Sequence, residues 1–523
     1  MKKNITSFIL GIAVLTSGFS QTRYVDEVFS SVDVTPDIVY AQNFSVLAGT
    51  PIPTGMAGTP IPALAFDLYE PTGDTETSRP LIIHLHTGTF APVVHNGNPT
   101  GLRQDFATDA FCKGYAKRGY VVANLEYRLG WNPNMPTEPE RAAELMKAVY
   151  RAIQDTKAAV RFFRKDFETN SNSYGIDTSR IILSGQGSGG WVALGYATVD
   201  KLSEIQLPKF LDGSGVPLID TAVLGDWNGV GGSPSLNMPN SPGYSNDVHM
   251  VCSMGGGLGD LSWLEAGDVP MAAVHGPLDA VAIYTTGNVS AGGVNVTTDI
   301  SGAHDVVKKA NMLGNNDPIL EHYDAYTLAA KSASNALVAA NATDWGGTAI
   351  TETVNNVFPY ITGNPGEGSP WDYWDSTFLV SQVAPAVGLT AAEGQAAHAS
   401  GLQTNPDMSY GKALAYIDST LSYFCPRIVN ATMLPGNTTE IIEVSTISDV
   451  SVFPNPSSGN LVFNSKSGTI ESIKFHNAVG QLTKSFSPNA STFNIENVNL
   501  PTGIYLVEII CEGNSSVKKL ILE

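Results

Sequence analysis

Three short runs constrain this chain more than any other feature: residues 80–85 (PLIIHL), 119–125 (GYVVANL) and 180–185 (RIILSG). None of them alternates apolar with polar side chains, so each reads as a strand buried on both faces. Between the second and third lies a helical pattern from about residue 140 to 166. It places Val149, Ile153, Val160 and Phe163 on one face, at spacings of three, four and seven. An earlier strand is expected at 65–70 (AFDLYE), a helix at 106–118 and another from Gly189. Buried strands alternating with amphipathic helices predict an α/β fold: a mostly parallel sheet covered by helices on both faces.

At 523 residues the chain is long enough for two or three units. The first twenty residues carry two lysines, an apolar run at 8–15, and small residues at Gly18 and Ser20. That is the pattern of a secretory signal peptide, residues 1–20. The apolar run is too short to span a bilayer, and no other span is expected. A net charge of -20 repels phosphate backbones, so a nucleic-acid partner is not expected. The cysteines at 112, 252, 425 and 511 have no zinc-like spacing, and no P-loop or dinucleotide fingerprint is present. No metal or cofactor is therefore expected. The main unit is placed at 21–435, with an Ala- and Ser-rich, partly helical insertion at about 315–408 that contains Trp345 and the cluster SPWDYWD. A polar linker follows at 436–449, then short strands and turns at 450–523 that predict a small all-β sandwich.

The third buried strand runs into GQGSGG. A sharp strand-to-helix turn that presents a nucleophile needs small residues two places before and two after its apex, because the backbones pass closely there. Centred on Gly187, those flanks are Gly185 and Gly189; centred on Ser188, they are Gln186 and Gly190. A glutamine would crowd the turn, so Gly187 is the expected apex and Ser188 stands one residue late. A serine held at such an apex costs roughly 1–3 kcal/mol of backbone strain, which glycine avoids.

PLIIHLHTGTF, YVVANLEYRLG and YGIDTSRIILSGQGSGG, with DLYEP upstream, follow one another in a way that resembles carboxylesterases and the related lipases and feruloyl esterases over residues 66–191. The resemblance implies the α/β-hydrolase fold and a Ser, Asp, His triad in that chain order. The family's serine falls on Gly187. His86-Thr87-Gly88-Thr89-Phe90 stands where the family has H-G-G-G-F, so backbone amides at Thr87 and Gly88, with those of Gly187 and Ser188, would form the oxyanion hole. Asp279, in HGPLD, matches the triad acid, with a turn-capping role as the alternative; His275 then belongs to the turn, and Asp260 is a weaker candidate. His304, after the strand expected at 292–300, is the candidate base, with His398 and His322 as alternatives. Two readings stay open. One is a serine esterase for extracellular esters such as acylated polysaccharide, with Ser188 as nucleophile, His304 as base and Asp279 orienting it. The other is a catalytically silent member that binds a ligand or partner at the cell surface.

At the C-terminal end, Phe453-Pro454-Asn455-Pro456, Asn477-Ala478-Val479-Gly480, 500–505 (LPTGIY) and Lys518-Lys519-Leu520-Ile521 resemble the type A sorting domain of the type IX secretion system. That resemblance implies export to the cell surface or beyond, with the secretion machinery as the partner of residues 450–523.

Overall fold

The computed structural model describes residues 22–45, 61–132, 135–291, 294–320, 324–434, 450–466, 468–477, 482–511 and 514–522. The expected signal segment, the linker and His322 lie outside the described residues. The chain divides into two compact units, one ending at Leu434 and the other containing the strands from Val450 onward.

Among its described residues the first unit has eleven strands: β1 (Val32–Gln42), β2 (Ala63–Pro71), β3 (Arg79–Leu85), β4 (Val121–Leu125), β5 (Ile176–Gln186), β6 (Met250–Met254), β7 (Gly257–Leu258), β8 (Met271–His275), β9 (Thr286–Ala291), β10 (Val294–Gly302) and β11 (Val357–Pro359). Eight form one sheet in the order β1-β2-β4-β3-β5-β6-β8-β11. β1 and β2 pair antiparallel, as do β2 and β4; from β4 to β11 every pairing is parallel. β3, β4, β6 and β8 are buried along their whole length, as strands covered on both faces must be.

Five helices matter for the site: α1 (Phe106–Lys117), α2 (Glu138–Thr169), α3 (Ser188–Thr198), α4 (Ala303–Met312) and α5 (Tyr410–Thr432). α2 starts from a capping box in which Glu140 accepts bonds from the Thr137 amide (2.9 Å) and hydroxyl (2.6 Å). Its apolar face buries Ile153, Val160 and Phe163, while Val149 reaches a cavity described below. In the YRLG block, Arg128 is buried against Asp155 of α2. Its Nε lies 2.8 and 2.9 Å from the two carboxylate oxygens, and its backbone amide donates to the same group at 2.9 Å.

The structure departs from three expectations. The strand expected at 292–300 does form, as β10, but it pairs with β7 and β9 in a separate three-stranded sheet. The last strand of the main sheet is β11, inside the stretch taken for an insertion; at three residues it is too short to show a period. His275 is the last residue of β8 rather than part of the turn after it.

Among its described residues the second unit has three strands in one antiparallel sheet and four in another. Phe463 of the first and Phe475, Val507 and Ile509 of the second share one apolar core, which makes a small β-sandwich.

Candidate functional site

A cavity of about 190 Å³ opens at the C-terminal ends of the parallel strands. Open α/β sheets bind ligands at this edge, because the loops that follow the strands converge there. Thr87, Thr89 and Phe90 enter it from the loop after β3, Gly187 and Ser188 from the turn after β5, and Asp279 from the turn after β8. Gly368, Ser369, Asp372 and Trp374 come from the loop after β11. An apolar wall faces them, built by Leu145, Met146 and Val149 of α2, Trp191 of α3, and Val289 and Ile300.

Gly187 is the apex of the elbow. It precedes the first residue of α3 and has φ +49° and ψ -116°, a region that side-chain-bearing residues rarely adopt. The flanks leave no room: a Cβ on Gly185 would strike the Gly189 carbonyl, and one on Gly189 would strike the Leu85 carbonyl. A Cβ on Gly187 would overlap Thr87 Oγ1 and lie 3.3 Å from Thr87 Cβ. The threonine side chain thus fills the space in which a serine at the apex would begin.

Ser188 lines the cavity from the first turn of α3. Its hydroxyl lies 3.2 Å from Tyr127 Oη. Tyr127 donates its own proton to the His86 carbonyl at 2.7 Å, so Ser188 is the donor in this pair. The Gly187 backbone N–H, expected among the oxyanion donors, is taken by the Met254 carbonyl at 2.8 Å, whereas that of Ser188, at the start of a helix, has no intrahelical acceptor. His86 is stacked on Tyr127, with ring centroids 4.7 Å apart, and bonds the Thr87 carbonyl through Nδ1 at 2.6 Å. Burial alone would lower its pKa, but Glu126, 3.6 Å from Nε2, raises it above the usual value.

The expected triad partners are not brought together. Asp279 reaches the cavity, and its Oδ1 accepts from the amides of Val281 (2.7 Å) and Ala282 (3.0 Å), as a turn cap would. His304 sits in the first turn of α4 and does not line the cavity; its Nδ1 lies 2.8 Å from Asp305. Among the described residues no hydrogen bond joins His304 to Asp279 or to Ser188. His398 stands behind Trp374, whose indole N–H donates to its Nδ1 at 2.9 Å. Asp260 caps a short turn through Ser262 and pairs with Lys209 at 2.8 Å. The loop that follows the last strand of the sheet brings a glycine against the acid: a Cβ on Gly368 would overlap the Asp279 carboxyl. No histidine is among the described residues that line the cavity.

Asp372 is the site residue that the sequence reading missed. Burial, and then the charge of Asp105 at the start of α1, push its pKa up to about 8. Asp105 is itself raised to about 6 by burial, against the amide bonds from Gly101 and Leu102 that favour its ionised form. The aromatic cluster around Asp372 divides: Trp371 is buried in the core, Tyr373 packs on Phe106 and Tyr410, and Trp374 lines the cavity. Trp345 is about half exposed. Among the described residues no group of three or more His, Cys, Asp or Glu side chains is placed to hold a metal ion.

Residues 66–231 match the BD-FAE family model, and residues 451–523 match the Secretion system C-terminal sorting domain. No curated protein matches. Among solved structures, esterase 2 of Thermogutta terrifontis phosphorylated by paraoxon is 17% identical, over 48% of this chain and 72% of that one, with a TM-score of 0.28. The propionate-bound form of the same esterase is 16% identical, over 49% and 75%, with a TM-score of 0.28. A bifunctional GH43-CE protein of Bacteroides eggerthii is 17% identical, over 48% of this chain and 31% of that one, with a TM-score of 0.27. The chain carries an esterase-like α/β-hydrolase unit followed by a type IX sorting domain, which directs it to the cell surface or the extracellular space. Among the described residues no helix is long and apolar enough to cross a membrane.

Proposed function

We propose that this protein binds a small ligand in the cavity at the edge of its esterase-like sheet, and that it does not turn over esters through a serine acyl-enzyme. The observation that carries this is Thr87 at the elbow apex: its side chain occupies the room that a nucleophile at residue 187 would need. Three further features support it. Ser188 is tied to Tyr127, Gly368 stands against Asp279, and the lining supplies no imidazole among its described residues. Acyl transfer by a serine needs a base within about 2.6–3.2 Å of the hydroxyl, directly or through one water. The competing reading is a serine esterase for extracellular esters such as acylated polysaccharide. It draws on the BD-FAE match and requires Ser188 to leave Tyr127 and meet a base.

Hydrolysis of p-nitrophenyl acetate and butyrate by the full chain, beside Ser188→Ala, separates the two. We expect turnover far below the roughly 10 s⁻¹ of an ordinary enzyme, with no change in the variant and no labelling by a fluorophosphonate. Fast turnover abolished by Ser188→Ala overturns the proposal.

A further inference from the structure

We propose that the ligand of this cavity is an organic ammonium ion, a methylated or alkylated amine carrying an apolar group; the inference rests on the binding reading above. The lining contains two carboxyl groups, Asp279 and Asp372, and no Lys, Arg or His among its described residues. A lining without a basic side chain offers a carboxylate or phosphate no counter-charge, and it offers a cation carboxylate partners once Asp372 gives up the proton it holds up to a pKa of about 8.

The two acids also have open valences. Asp279 is 5% exposed, and its Oδ1 is satisfied by its own turn. Its Oδ2 has no hydrogen-bond donor: His275 Nε2 is 3.6 Å away and lies 3.0 Å from the Ala282 carbonyl. The Asp372 carboxyl has no hydrogen-bond partner among the described residues. Asp279 is buried and Asp372 partly so, and a carboxylate oxygen without a donor in such a place is stabilised by a bound cation.

Several neutral polar groups of the lining are already engaged within the protein, which leaves fewer of them for a polyol. Asn98 donates to the Asn96 carbonyl at 3.2 Å, and Thr89 to the Gly88 carbonyl at 2.7 Å. Asn405 donates to the carbonyls of Ser369 and Asp372, both at 3.1 Å, and accepts from Lys412 at 2.8 Å. Ser188 donates to Tyr127. Trp191, Trp263 and Trp374 line the same cavity, and the Trp374 N–H is committed to His398. Tryptophan rings and carboxyl groups lining one cavity suit methylated ammonium groups, which the negative ring faces attract. A chain charge of -20 raises the local concentration of such cations.

The test uses the full chain, with binding read by calorimetry and by tryptophan fluorescence. The probes are choline, phenyltrimethylammonium, the neutral choline isostere 3,3-dimethylbutan-1-ol, and butyrate. We expect both cations to bind at least about tenfold more tightly than the isostere, and butyrate not to bind. At pH 9, above the pKa of Asp372, Asp372→Asn should weaken choline about tenfold while the thermal midpoint shows the fold intact; Asp279→Asn is the second variant. Equal affinity for choline and its isostere, tighter binding of butyrate, or an unchanged choline affinity in Asp372→Asn overturns the proposal. Hydrolysis of p-nitrophenyl butyrate by the same preparation judges the binding reading separately, so the two can fail independently.

Discussion

Placing a serine at the elbow apex is the sharpest perturbation this structure offers. In Gly187→Ser the new residue must adopt φ near +49° and ψ near -116°, which costs about 1–3 kcal/mol. Its Cβ would also overlap Thr87 Oγ1, so Thr87 must leave its rotamer, at about 0.5–1.5 kcal/mol. The variant should therefore lose about 2–4 kcal/mol of stability in urea unfolding. Thr87→Gly on the same background removes the overlap and leaves the backbone term. The cycle of the two single variants and the double should then show a favourable coupling of roughly 0.5–1.5 kcal/mol, above the ordinary error of additivity. Neither variant should gain ester turnover or rapid fluorophosphonate labelling, because the serine still faces no imidazole. A Gly187→Ser protein as stable as the parent, or an additive cycle, refutes the claim that Thr87 fills the apex. A Gly187→Ser protein that hydrolyses p-nitrophenyl butyrate refutes the claim that the site lacks a base.

Three other outcomes follow from buried charges. Asp155→Ala leaves the Arg128 guanidinium buried and unpaired, so it should lose about 3–5 kcal/mol in urea unfolding, and a loss below 1 would contradict the geometry. Lys412 pairs with Glu367, which is fully buried in the loop after β11; Lys412→Met should destabilise similarly, and the double Lys412→Met, Glu367→Leu should recover most of the loss. Asp372 remains protonated in the folded chain up to a pKa of about 8, whereas the unfolded chain ionises near the usual carboxylate value. The native state then binds the extra proton, so this residue removes stability as pH rises from about 4 to about 8; Asp372→Asn should raise the melting temperature more at pH 8 than at pH 5, and an equal shift at both would refute it.

The parts of the fold that showed in the sequence are those with a physical signature confined to one segment. Residues 80–85, 119–125 and 180–185 are apolar because both of their faces are covered, and the flanking glycines mark the turn at 187 because their carbonyl neighbours leave no space for a Cβ. β11 has no such signature: three residues hold neither a period nor a length. Without it, the only strand legible after Asp279 is β10, whose following residue is in the turn that holds His304, whereas the loop that reaches Asp279 is the one carrying Gly368 and Asp372. Asp372 stands in the SPWDYWD cluster, where nothing in the local pattern marks it as an acid of the cavity. Thr87 was legible only as a threonine standing where the resemblance expects a glycine. That it fills the apex after β5 depends on the separation of two loops in space, which no pattern within either loop encodes.

Strain distinguishes a cavity in use from a relic of packing. At the apex, glycine has removed the strain that a nucleophile there would carry. In the loop after β3 the strain is kept: Thr89 and Phe90 stand at φ +52° and +57°, where a β-branched or bulky residue is an outlier costing about 1–3 kcal/mol each. The surroundings hold them there. The Trp131 indole donates to the Thr89 carbonyl at 3.0 Å, Gly130 to the Phe90 carbonyl at 2.8 Å, and Ala91 to the Gly88 carbonyl at 3.0 Å. Gly88 is pressed so closely on Gly101 that a Cβ would lie 2.9 Å from its Cα. A loop needed only for packing could relax by placing glycine at either strained position, as residue 187 does. Here the conformation that faces Thr89 and Phe90 into the cavity is maintained at a cost in stability, while the apex one loop away is not. That contrast favours a pocket retained for what it binds over one retained for what it cleaves.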